Sequence, residues 1–298
     1  MQHSFTMRVA DAETPVAMPR SIWQHRAWLH RQRVRPWILP YLERKSRQTK
    51  HPVYDFLFQY YSFRPAQLAR WSPGPDVVIE AEQREELPGP PKSWESVGNG
   101  WKLVPFPVAR RECLEWATRF LEATSVREPN FYCFGLHEWA MVYRERPIRH
   151  AEVSLRLEPS EIASAVESQN LVCTHFDAFR FFTEPARRRN QTTLRRDTTV
   201  AMDQPGCIHV NMDLYRFCYK IAPWLDAELL ADAFELTRSA REIDMRASPY
   251  NLREFGFEPI PVETAEGRAE YVRLQRMVSE RARPIRQRLL AAYRRLVV

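Results

Sequence analysis

A chain of 298 residues, 44% hydrophobic and 12% aromatic, has ample apolar surface for a core, and no Gly/Ser linker divides it. Its net charge of +7 draws it toward polyanions, nucleic acid among them, although a solvated basic surface gives the same number. Charges interrupt every apolar run well short of the roughly 20 residues that span a bilayer, the N-terminus lacks the apolar stretch of a secretion signal, and five scattered cysteines are too few for a disulfide framework; a cytoplasmic protein with free thiols and no membrane association is expected.

Residues 1–20 lack periodicity and are expected to be flexible. Ser21 reads as an N-cap for a helix carrying Trp23, Ala27, His30 and Val34 on one face, ending before Pro36. A second helix, Trp37 to Lys50, would show Arg44, Lys45, Arg47 and Lys50 on a positive face, which solvation alone explains. His51 to Tyr61 is densely apolar and aromatic and reads as a buried helix. Residues 72–108 are Pro-rich, with Leu87-Pro88-Gly89-Pro90-Pro91, and read as irregular structure before helix resumes from Arg110 to Ala123.

Beyond Phe131 a short strand is expected at Glu152 to Leu157. Leu225 to Arg246 is the clearest amphipathic helix, with Leu229, Ala233, Leu236, Ala240 and Ile243 alternating spacings of four and three. Glu266 to Val298 reads as a long basic helix with a potential break at Pro284. The fold class is therefore mainly α: one helical domain over residues 21–298, with irregular Pro-rich insertions and at most a few short strands.

Four segments mix Cys, His and acids with bulky apolar residues, where an unpaired polar group is costly. The first holds Cys133, His137, Glu138 and Trp139; the second Cys173, His175, Asp177, Phe179 and Phe181; the third Cys207, His209, Asn211, Asp213 and Tyr215; the fourth Asp244, Ser248 and Tyr250. Asp177 and Phe181 share a helical face, as do His209 and Asp213, while Asp244 follows Ala233, Thr237 and Ala240 onto the buried side of its helix. A carboxyl held among aromatic rings has a raised pKa or needs a charged partner, and general acids and bases are made that way. His137, His175, His209 and Asp213 are candidate ligands for a divalent metal, although their spacing matches no standard zinc module. Buried structural thiols and hydrogen-bonded core histidines would produce the same letters. Arg187, Arg188, Arg189, Arg195 and Arg196 concentrate five guanidiniums in an expected loop, suited to phosphate contacts or simply to solvent. Phosphate-binding glycine loops, GxGxxG, GxSxG and HExxH are all missing from the sequence, which removes common nucleotide hydrolases, Rossmann dehydrogenases and zincins as leading ideas.

In these same stretches the chain resembles a family of bacterial proteins commonly named 3-methyladenine DNA glycosylase. The resemblance lies in His51-Pro52-Val53-Tyr54-Asp55-Phe56-Leu57-Phe58, Phe134-Gly135-Leu136-His137-Glu138-Trp139-Ala140, Thr174-His175-Phe176-Asp177-Ala178-Phe179-Arg180, Gln204-Pro205-Gly206-Cys207 with Met212-Asp213-Leu214-Tyr215, and Asp244-Met245-Arg246-Ala247-Ser248-Pro249-Tyr250. It implies an enzyme of DNA repair that flips an alkylated purine out of the duplex and cleaves its N-glycosidic bond without a cofactor. Trp139, Phe179 and Phe181 would then stack on the base, with Asn211, Tyr215, Ser248 and Tyr250 as further substrate contacts. Asp177 or Asp213 would orient water and stabilise the cationic sugar, with Glu138, His137, His175, His209 and Asp244 completing the catalytic set. Two other readings stay open: a metal-dependent enzyme acting on a small molecule, with ligands drawn from His137, Glu138, His175, His209 and Asp213, and a non-catalytic nucleic-acid-binding protein. The sequence carries no signal for oligomeric state.

Overall fold

The computed structural model describes residues 17–144 and 153–297. It is mainly helical, with α1 (Arg20–Ser46), α2 (Phe56–Gln59), α3 (Pro65–Leu68), α4 (Arg111–Val126), α5 (Leu136–Ala140) and α6 (Pro159–Glu167) in the first part of the chain. There follow α7 (Phe176–Phe179), α8 (Glu184–Arg189), α9 (Thr199–Met202), α10 (Ile208–Lys220), α11 (Ala227–Arg246) and α12 (Ala265–Val297). Within the Pro-rich region, β1 (Trp94–Val97) and β2 (Gly100–Leu103) form an antiparallel hairpin from Trp94 opposite Leu103 to Val97 opposite Gly100. A Cβ at Gly100 would fall 2.6 Å from Val78 Cγ1 and 2.9 Å from the Ile79 carbonyl, so only glycine lets the hairpin close on that strand-like segment. Among the described residues no helix is long and apolar enough to cross a membrane.

Prolines break fewer helices than their positions suggest. The expected pair of helices around Pro36 is one helix, α1, which continues through Pro36 and Pro40, and α12 continues through Pro284. All three rings lie on exposed faces. There the carbonyl four residues back, deprived of its N–H partner, is open to water instead. The expected helix from His51 to Tyr61 forms only as α2, because Asp55 turns the chain: its carboxylate accepts from the His51 backbone N–H at 2.9 Å and from Arg44 Nε at 3.0 Å. Of the expected flexible N-terminus, residues 1–16 lie outside the described residues; Ala17 is buried and Met18 pairs with Val78, with α1 starting after Pro19 rather than at Ser21. The expected strand Glu152 to Leu157 falls partly outside the described residues, and its remainder makes a single bridge between Leu155 and Tyr250.

The main core lies where α10 and α11 pack side by side with α12 against both and α4 on α12. Leu229, Ala233, Leu236 and Ala240 of the predicted stripe are buried, and Ile243 is half-buried at its end. A second cluster gathers Trp139, Phe179, Met245 and Tyr271, and a third packs the hairpin against α1 through Trp23, Ile79 and Trp94. Each large side chain so buried contributes roughly 1.5–3 kcal/mol. Between Ala240, in the first cluster, and Met245, in the second, α11 carries Arg241 and Asp244. The polar centre sits at that junction.

Candidate active site

Two groups of three side chains meet there. His137, His209 and Asp244 form an inner group, His175, Asp177 and Asp213 an outer one, and within each group the donor atoms lie within 4.8 Å of one another. The His209 ring stacks on His175 with centroids 5.4 Å apart and meets His137 edge-on at 4.4 Å. Residues far apart in sequence are thereby joined: His137 Nε2 lies 2.5 Å from Asp244 Oδ1, 107 positions away.

Local geometry explains each placement. Gly135, at φ +74°, caps α5, and a Cβ there would come within 3.1 Å of both Ala247 and the Tyr271 ring. Glycine therefore lets α5 sit against the end of α11, which brings His137 to Asp244 and Glu138 to Arg241. The loop before α10 is fixed by Gln204, whose Oε1 accepts from the Asn130 and Gly206 backbones at 2.8 and 2.7 Å. His209 and Asp213 then follow one turn apart, and Arg216 another three positions on reaches Asp177 Oδ2 at 2.8 Å and the Tyr60 hydroxyl at 2.7 Å. His175 caps α7, its Nδ1 3.2 Å from Asp203 Oδ2 and its Nε2 3.9 Å from Asp213 Oδ2.

The centre is dense in charge of both signs. The carboxylates of Glu138, Asp177, Asp213 and Asp244 face the guanidiniums of Arg216 and Arg241, with Arg180 beside Asp177 at the rim, while the Asp203 carboxylate lies against His175. Glu138 Oε2, Asp203 Oδ1, and Arg241 Nε and Nη2 are buried without a hydrogen-bond partner among the described residues. Burial alone would push His137 down, but Asp244 and Cys133 more than offset it and hold the imidazole well above its ordinary range. His175 is raised in the same way, burial being outweighed by Asp203 and Asp213. His209 falls well below its usual value through burial and the positive charge of His137. Burial lifts Asp213, while at Asp177 the burial effect is overcome by Arg216 and the carboxyl stays low.

These groups could hold a metal ion. The gaps from His175 Nε2 to Asp213 (3.9 Å) and from His209 Nε2 to Asp244 (3.8 Å) are too long for hydrogen bonds. A cation with ligand bonds of roughly 2.0–2.2 Å would span them. Asp203 behind His175 is also the kind of partner that orients a metal-binding imidazole.

A cavity of about 130 Å³ opens on the centre, walled by the rings of Phe56, Tyr60 and Phe181 and by Glu138, Asp213 and Arg241. Of the residues expected to contact substrate, Phe181 lines it. Trp139 is fully buried with its indole N–H on the Ala247 carbonyl at 2.8 Å, and Phe179 and Tyr250 are buried in the same second cluster. Tyr215 is buried in the main core, Asn211 is held by Pro205 and Arg286, and the Ser248 hydroxyl caps the end of α11 on the Met245 carbonyl. The five arginines expected at phosphates divide: Arg187 and Arg189 donate to the carbonyls of Arg180 and Glu167, Arg188 pairs with Glu184 and Arg195 with Asp197. Arg196 lines a second cavity. Sequence reasoning passed over Phe56 and Tyr60 as core, and over Asp203, Arg216 and Arg241; the last two lie three positions from Asp213 and Asp244, the spacing of a helical ion pair. Comparison with protein-family models, with curated proteins and with solved structures finds no match to this chain.

Proposed function

We propose that the chain is an N-glycosylase releasing alkylated purine bases of the 3-methyladenine type, with DNA the substrate its sequence resemblance implies. The observation that carries the reading is the small cavity, whose walls are aromatic and which Glu138, Asp177 and Asp213 line. At about 130 Å³ it is below the roughly 300–1,000 Å³ of pockets for larger ligands. An alkylated purine is flat and carries positive charge, so it can stack on the rings and meet the carboxylates of Glu138, Asp177 and Asp213 in the lining. Water attacks the anomeric carbon as the carbon–nitrogen bond breaks; the bonding electron pair goes to the base, which leaves neutral, and the proton of the water passes to Asp213. Asp177, kept ionised by Arg216, stabilises the positive charge that builds on the sugar.

The test is single-turnover base release from alkylated DNA by the wild type and by Asp177→Asn. The variant is expected to be slower by roughly 100-fold or more. Its melting temperature should fall by a few degrees at most, because Arg216 keeps Asp213 and the Tyr60 hydroxyl as partners when the Asp177 charge is removed. Absence of release by the wild type with enzyme in excess would overturn the reading.

A second reading, a metal-dependent enzyme acting on a small molecule, is favoured by the two histidine–carboxylate gaps of 3.8 and 3.9 Å. Elemental analysis of the purified protein decides it: a stoichiometric divalent metal whose removal abolishes activity selects this reading, and base release by metal-free protein rejects it.

A further inference from the structure

A larger cavity of about 380 Å³ lies on the other side of the outer group, and His175, Asp177 and Asp213 line both cavities. Its floor is buried and acidic, with Asp203 and Asp213, but its rim is cationic and aromatic: Arg196, Lys220, Trp116 and Phe176. Arg196 and Lys220 come from separate elements, the turn before α9 and the last residue of α10. Arg188 and Arg195 have acidic neighbours, whereas among the described residues neither Arg196 nor Lys220 has an acidic partner. Arg216, the third cation here, is committed to Asp177, Asp213 and Tyr60.

The two cavities adjoin across a shared wall of His175, Asp177 and Asp213, with aromatic rings in the inner one and, at the mouth of the outer one, two cations without acidic partners among the described residues. A ligand reaching past that wall would place a flat ring among Phe56, Tyr60 and Phe181 and an anion beside Arg196 and Lys220. We infer that the outer cavity is a subsite for a sugar phosphate, held by Arg196 and Lys220, and that the substrate is a phosphorylated N-glycoside whose base occupies the inner cavity. The phosphate subsite stands on the outer cavity alone; the placing of base and sugar rests on the glycosylase reading.

Binding is measured by calorimetry with a pentose phosphate, an N-methylated purine nucleoside and its monophosphate, on the full chain and on the double variant Arg196→Ala/Lys220→Ala. Both changed residues are exposed, so the fold and its melting temperature should be kept. The expected result is that pentose phosphate and the monophosphate lose at least about 10-fold in affinity on the double variant while the nucleoside is unaffected. Failure of pentose phosphate to bind the wild type, or equal binding to the double variant, overturns the subsite. Phosphate-dependent binding without base release leaves the subsite standing and removes the glycosylase reading; base release from the nucleoside with no gain from its phosphate does the reverse. Competition between pentose phosphate and a short oligonucleotide bearing the same base internally assigns the phosphate to a nucleic-acid strand, and lack of competition assigns it to a free nucleotide.

Discussion

Asp244→Asn is the sharpest test of how the centre is held together. The residue has no solvent exposure, and its two oxygens meet His137 Nε2 at 2.5 Å and Arg241 Nη1 at 2.8 Å. Amide for carboxylate keeps the shape but deletes the anion that both cations face. Removing one partner of a buried ion pair costs roughly 3–5 kcal/mol, because the other charge is left uncompensated in a medium that solvates it poorly. Arg241 retains Glu138 at 3.0 Å, so the loss belongs near the lower figure. At roughly 2–4 °C per kcal/mol for chains of 150–250 residues, and somewhat less for a longer one, the melting temperature should fall by roughly 5–10 °C. The assay is thermal melting of wild type, Asp244→Asn, His137→Gln and the double variant. Because the two side chains act on one another, the double variant should lose less than the sum of the singles by roughly 0.5–3 kcal/mol. A drop of under about 2 °C for Asp244→Asn, or strict additivity, would refute the account of a coupled buried network.

Other substitutions separate structural from chemical roles. Gly135→Ala should cost roughly 2–4 kcal/mol and slow base release, since it adds a methyl 3.1 Å from Ala247 and Tyr271 at a left-handed φ; a melting temperature equal to wild type would show that α5 is not seated by this contact. Trp139→Phe should lower stability through loss of the hydrogen bond to Ala247 and leave base release intact, whereas a selective fall in release would return the indole to the binding site. His30 is kept below its ordinary value by burial, with Nε2–H donating to Leu68 at 2.8 Å. Its contribution to stability is present above pH 6.5 and is lost on acidification, because the unfolded chain takes up a proton that the folded chain resists. Urea midpoints for His30→Gln should accordingly fall less than those of wild type between about pH 7 and about pH 5, and parallel curves would contradict this.

The placement of the candidate residues shows what a sequence of this kind reveals and where it stops. The stripe on α11 and the inward turn of Asp244 were legible because a 20-residue helix samples its own period several times. Pro36 and Pro284 misled because a proline on a helix's solvent face loses a bond that water replaces, and exposure is a tertiary property. The expected substrate contacts follow a simpler rule. Trp139 lies two positions from His137, Phe179 two from Asp177, and Asn211 and Tyr215 two on either side of Asp213. Two positions on a helix are about 200° apart, so with Asp177 and Asp213 turned to the cavity, Phe179 and Tyr215 are driven into core clusters and Asn211 onto Pro205 and Arg286. Trp139 is buried opposite the polar centre that His137 enters. Phe181 and Asp213, four positions from Asp177 and His209, return to the same face and reach the cavity. That rule was available from the sequence once the segments were read as helices. The pairing of His137 with Asp244, 107 positions apart, and the aromatic wall supplied by Phe56 and Tyr60, were not, because they depend on which distant helix faces which.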